Sequence, residues 1–200
     1  ALLASFLERN TEYAAAAPKL VNADGTTQRS CMCFPRMRTA LAFASPWERW
    51  FPDSAELRRY FCRDFDHEHD ADVEQPPAAC LLVRRVALER VGGLDESLPL
   101  YFNDVDLSLR LAQQGWKTRF VAAARCVHHV GQSTRQRTDR LLAWHTDRLT
   151  YYRKHFGFAG GLSIKAAATW SALDFCARQV VARREPVEPV WRALGALLVR

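Results

Sequence analysis

The chain has 200 residues, 48% of them hydrophobic, and a formal net charge of +6 carried mostly by arginine. That is enough apolar material for one domain with a real core, or for most of a larger one, which argues against a disordered chain; six cysteines without a C-x-x-C pair argue against a zinc ribbon or a small disulfide scaffold, and reduced thiols are expected. No stretch of about 18 uninterrupted apolar residues suits a bilayer span and no signal peptide stands at the start, while the basic charge suits a phosphate-bearing ligand, a nucleic acid or an anionic membrane surface without choosing among them.

In chain order, residues 1–9 read as the end of a helix. APKLVNADGTTQRSC then reads as a strand, a turn at Asp24-Gly25 and a second strand, hence a β-hairpin. From Cys33 to about Pro77 the sequence is irregular and rich in Pro, Trp and Phe, with one helical patch, SAELRRYF. It ends in an acidic, histidine-bearing loop, DFDHEHDAD. Asp66, His67, His69 and Asp70 of that loop could bind a metal, but a solvated loop is the plainer reading. AACLLVRR reads as an apolar strand, VALERVGGLDESL as a short helix ending at Gly92-Gly93, and YFNDVDLSLRLAQQ as the next helix, stopped by Gly115. TRFVAAARCVHHVGQST supplies one or two strands with Val121, Cys126 and Val127 in the core and His128 at the exit. Helices are expected over 139–155 and 162–184, the second with an apolar set of Trp170, Leu173, Ala177, Val180 and Val181 flanked by Arg178, Arg183 and Arg184. Such a basic, aromatic-bearing helix can lie on an anionic membrane or pack on a domain surface. The chain opens inside a helix without Met and closes inside an apolar run, so it reads as a piece of a longer protein.

The segment YFNDVDLSLR places Asp104 and Asp106 where an apolar strand end gives way to an amphipathic helix. A carboxylate at a helix N-terminus is kept ionised by the dipole and the unpaired N–H groups, and could take a proton from a substrate hydroxyl. The alternative makes Asp104 a cap and pairs Asp106 with Arg110, four residues on. Asp106 keeps that structural reading in either case.

Taken together and in order, PKLVNADGTTQRS, the run from AACLLVRR through GGLDE, YFNDVDLSLR and CVHHVGQST, and RLTYYRKHFG resemble the C-terminal half of the family 2 glycosyltransferases, especially the rhamnosyltransferase-like branch that builds bacterial cell-envelope polysaccharides. The resemblance covers roughly residues 1–157. It implies an α/β fold: the acceptor-side half of a GT-A (Rossmann-like α/β/α) domain over 1–157, followed by a C-terminal amphipathic helical extension over 158–200. It further implies an inverting transfer from a nucleotide-diphosphate sugar, with rhamnose as one donor sugar, to a glycan or lipid-linked acceptor. The location implied is cytoplasmic, peripheral on the inner face of the plasma membrane. The family's Glu-Asp pair falls on Asn103 and Asp104, which makes Asp104 the general base and leaves Asn103, a departure from glutamate, as a substrate contact able to accept and donate hydrogen bonds. Its histidine falls on His128, five residues before Ser133, as a ligand for a divalent cation (Mg2+ or Mn2+). Arg135 and Arg137 are candidate diphosphate contacts, because guanidinium groups pair with phosphate oxygens in a fork. Asp95 in VGGLDE is a candidate acceptor contact, and Gly92 and Gly93 would allow a tight helix end and close backbone approach. The family's Asp-x-Asp-like motif would lie upstream of Ala1, so the 200 residues alone are expected to be inactive. Two other classes stay in view: a degenerate transferase or carbohydrate-binding scaffold, encouraged by Asn103, and a nucleic-acid binder, for which no motif or recognition helix is present and which is not expected.

Overall fold

A computed structural model describes residues 1–129, 137–182 and 188–199. The chain forms two compact units that interleave along the sequence. The first contains Ala1–Phe34, Arg58–Glu96 and the described residues from Asn103 to His129. The second contains Pro35–Leu57, Ser97–Phe102 and the described residues from Arg137 onward.

The first unit is built on a four-stranded mixed sheet of order β2-β4-β1-β3, where β1 is Tyr13–Val21, β2 Ala71–Asp72, β3 Leu82–Val83 and β4 Lys117–Val127. β1 runs parallel to β4 and antiparallel to β3, and β2 runs antiparallel to β4. Every residue of β1 is buried, so this strand is covered on both faces. One cluster joins Tyr13, Ala16, Val121 and Ala124 to Leu7 of helix α1 (Leu2–Arg9). The other joins Ala14 to Ala87 of α5 (Arg85–Arg90) and to Leu107 and Leu111 of α6 (Asn103–Gln113). The result is helices packed on a mixed sheet, consistent with the α/β fold expected. Pro18 lies inside central β1, where its missing N–H would break a ladder; the register slips between Pro18 and Lys19 and absorbs it.

Several expectations change. β1 begins at Tyr13, taking in three alanines ahead of the expected strand, and the hairpin turn at Asp24-Gly25 closes on only an isolated bridge, Val21 to Thr27. The strand expected over AACLLVRR pairs through two residues alone. Val127 is 56% exposed and Cys126 half-buried, so of the expected core positions in β4 only Val121 is interior. The acidic loop is not merely solvated. His67 is wholly buried, its Nδ1–H donating to the Phe65 carbonyl and its Nε2 accepting from the Ser30 and Cys31 N–H groups at 3.3 Å. Around it Glu68 pairs with buried Lys19 at 2.6 Å, and Asp70 accepts from the Ala122 N–H of β4 at 2.8 Å. This loop is a clasp across the sheet, and among the described residues no group of three or more His, Cys, Asp or Glu is arranged to hold a metal.

In the second unit, the stretch read as irregular contains two further helices, α2 (Met37–Ala42) and α3 (Pro46–Trp50). α3 carries its own start signal, with Ser45 Oγ accepting from the Trp47 N–H and Pro46 in the first turn. α4 (Ala55–Tyr60), the expected helical patch, carries the chain on into the first unit. α7 (Arg137–Ala182) is broken at Gly157, whose φ of +62° ends one helix and starts the next, close to the gap expected between the last two helices; α8 (Glu188–Val199) follows. Buried Arg148 donates to the carbonyls of Ala40 and Phe43 at 2.7 and 2.8 Å, and Asp147 accepts from the N–H groups of Leu100 and Tyr101 at 3.2 and 2.8 Å. Beyond Gly157 the inward stripe is Ile164, Ala167, Ala168 and Ala172, whereas Leu173 and Ala177, expected in the apolar set, face solvent. Among the described residues no helix is long and apolar enough to cross a membrane.

Candidate functional site

α6 separates the two aspartates. Asp106 is fully buried and receives Arg110 Nε at 2.7 Å, one helical turn on; the same guanidinium donates to the carbonyls of Val91 and Gly93 at 2.5 and 2.8 Å. This ties α6 to the end of α5. The α5 end is itself made by Gly92 and Gly93 at φ +79° and +77°, with Gly93 N–H donating to the Leu88 carbonyl at 2.9 Å. Nothing lies within 4 Å of a Cβ at either glycine, so the backbone angle requires them and close approach does not.

Asp104 is half-buried in the first turn of α6. Its carboxylate accepts from the Val105 N–H at 2.8 Å and from the Ala78 N–H at 3.2 Å, while Asn103 Oδ1 accepts from the Asp104 N–H at 2.8 Å. Two backbone donors and the helix dipole therefore hold an anion in a fixed direction on an accessible edge. The residue before α6, Phe102, has φ +60°, a costly conformation for a bulky side chain.

His128 leaves β4 beside the end of β1, its N–H donating to the Val21 carbonyl at 3.0 Å. Both strands end there in the same direction, and the carboxyl ends of parallel strands are where open α/β sheets bind ligands. Gln28 settles the tautomer of His128. Its Nε2 donates to two acceptors, the His128 carbonyl and Asn22 Oδ1, each at 2.7 Å, which fixes the amide orientation and directs Oε1 at His128 Nδ1, 3.0 Å away. In the neutral ring Nδ1 therefore carries the proton and Nε2 is the nitrogen left with a lone pair, the arrangement a histidine needs to ligate a metal. His129 beside it is exposed.

The structure brings Asn103 and Asp104 together and joins His128 to Gln28, a partner 100 residues away that no sequence spacing announces. Asp95 is half-buried in the loop between α5 and α6. Ser133 and Arg135 lie outside the described residues, as does the side chain of Arg137.

The model of the family described as glycosyltransferase like family 2 matches residues 13–147. An N-acetylglucosaminyl-diphospho-decaprenol L-rhamnosyltransferase of Mycobacterium tuberculosis is 46% identical over 68 residues, 34% of this chain and 22% of that protein. The rhamnosyltransferase WbbL of Escherichia coli K12 is 30% identical over 76 residues, 38% of this chain and 29% of that protein. The O-antigen biosynthesis protein RfbC of Myxococcus xanthus is 40% identical over 64 residues, 32% of this chain and 5% of that protein. The match thus spans less than a third of each of these relatives. No solved structure matches the chain.

Proposed function

The chain belongs to glycosyltransferase like family 2, and from that premise we propose that it serves, within its full-length protein, as the acceptor side of an inverting glycosyltransferase with Asp104 as general base. The observation that supports this reading is the Asp104 carboxylate, held by the Ala78 and Val105 N–H groups at the α6 N-terminus within the matched segment. In the reaction Asp104 takes the proton of an acceptor hydroxyl as that oxygen bonds to the anomeric carbon. The bond to the nucleotide diphosphate breaks on the opposite face and the configuration inverts. One base suffices, unlike the paired carboxylates of most glycoside hydrolases.

The relatives' names favour rhamnose as the transferred sugar and a glycan or lipid-linked acceptor; to these we add, as part of the same proposal, a nucleotide-diphosphate donor such as dTDP-rhamnose and a place at the cytoplasmic face of the plasma membrane. A divalent cation, Mg2+ or Mn2+, would neutralise the leaving diphosphate as a Lewis acid. His128 Nε2 fits the part of one ligand, and among the described residues no group of three or more His, Cys, Asp or Glu is arranged to complete a site. Asp95 and Arg135 are assigned to acceptor and diphosphate contacts. Asn103 orients the first turn rather than supplying a second carboxylate.

In the full-length protein Asp104→Asn should lower transfer by at least about a hundred-fold, the usual scale of a lost general base, and leave nucleotide-sugar binding unchanged. Retained turnover would remove Asp104 from the role. A wild-type protein without any transfer, with or without a divalent ion, would favour a carbohydrate-binding scaffold, the reading that Asn103 in place of glutamate encourages.

A further inference from the structure

The second unit leaves large apolar side chains in solvent, and several meet along one side of α7. α3 and the residue after it present Trp47, Trp50 and Phe51, exposed by 39%, 52% and 50%. The rings of Trp47 and Phe51 lie 4.6 Å apart, and Trp50 sits edge-on to Trp170 of α7 at 5.5 Å. Arg49 forks onto both Asp174 oxygens at 2.9 and 2.7 Å, strapping α3 to α7 one turn past Trp170. Leu173, next to that aspartate, is 54% exposed, and Ala177 one turn on is exposed as well. Helical spacing places 170, 173 and 177 on one face, opposite the buried stripe of Ile164, Ala167, Ala168 and Ala172, so α7 carries a second apolar stripe that runs from Trp170 at α3 out into solvent.

Charge distinguishes the occupants of such a face. Residues 35–57, 97–102 and 134–200 hold 15 Lys and Arg against 8 Asp and Glu, and the remainder holds 13 against 14, so the whole positive excess belongs to the unit bearing the apolar face. A second copy would bring two strongly positive units together, which Coulomb repulsion opposes. An anionic bilayer answers both features, because indole rings settle at the headgroup boundary and arginines are drawn to acidic lipids.

We propose that α3 and the second half of α7 form a membrane-docking surface for anionic phospholipid, with Trp47, Trp50, Phe51 and Leu173 entering the headgroup boundary. This deepens the membrane-face location proposed above by naming the surface. It is read without any sugar, so its failure leaves the transferase reading standing, and a silent Asp104 variant leaves the docking surface standing.

The test is flotation of the intact protein with vesicles of phosphatidylcholine alone and of phosphatidylcholine mixed with phosphatidylglycerol. Binding is expected to the mixed vesicles, weakened by salt, with indole fluorescence quenched by brominated acyl chains. Trp47→Ser/Phe51→Ser/Leu173→Ser should lower partitioning by about ten-fold or more with an unchanged circular dichroism spectrum. If the triple variant fails to fold, Phe51→Ser alone carries the test, with a drop of about three-fold. Absence of wild-type binding to the acidic vesicles overturns the proposal, as does equal binding by the folded variant or unquenched fluorescence in the bound state. A wild-type dimer in sedimentation velocity that these substitutions dissociate would assign the face to self-association instead.

Discussion

Two aspartates separated by one residue take opposite parts because one turn of helix points them differently. Asp106 is wholly enclosed and matched to Arg110, and that pairing was legible from the four-residue spacing alone. Removing one partner strands a buried charge, so Asp106→Ala should cost about 3–5 kcal/mol in denaturant-induced unfolding, and Asp106→Leu/Arg110→Met should recover part of it. The role of His67 was not legible, since two of its partners are backbone N–H groups more than thirty residues upstream. Burial pushes the imidazoles of His67 and His145 down, His145 to about 4, with Arg148 adding to the effect there. Both are held neutral in the folded chain, while the unfolded chain protonates them near pH 6.5. The stability tied to both is complete above that pH and is lost as the pH falls below it, in the case of His145 down to about 4. The urea midpoint should therefore drop between pH 7 and pH 5, and by less in His145→Leu; an identical pH dependence in that variant would remove His145 as a source.

At the scale of elements, the helices α5 and α6 follow from capping signals and apolar spacing, whereas β1 does not. Four consecutive alanines are strong helix formers, and only their burial between two helical layers makes the strand win. Likewise α2 and α3 are too short for periodicity to show, although Ser45-Pro46 was a readable start for the latter. α7 shows glycines required for different reasons. Gly157 is required by its positive φ, while Gly160 sits where a Cβ would meet the Tyr152 carbonyl oxygen at 2.3 Å and Phe156 Cβ at 2.6 Å. Gly160→Ala therefore forces the two halves of the helix apart and should destabilise by about 1–3 kcal/mol despite alanine's better helix propensity. A thermal melt unchanged by Gly160→Ala would show that the close approach is relaxed in solution.

At the scale of the molecule, the α/β class and the run of elements from β3 to β4 could be read in sequence, because each of those elements carries its own local pattern and stop signal. The two-unit organisation could not, since it depends on segments far apart in the chain meeting on α7. Its first half supplies Asp147 to the Leu100 and Tyr101 N–H groups, Arg148 to the carbonyls after α2, and Tyr152 to the Arg36 carbonyl at 3.2 Å. A chain ending at residue 157 should keep residues 35–57 protected from proteolysis, and one ending at 133 should expose them to cleavage. Equal protection in both would show that those segments order themselves without α7. The same interleaving governs how this protein could be recombined with a relative. A single crossover between α6 and α7 would set one parent's helix against the other parent's α2 and 97–102 loop, separating Asp147 and Arg148 from the backbone groups they evolved to meet. Exchange of the second unit must move three separate segments as one heritable block.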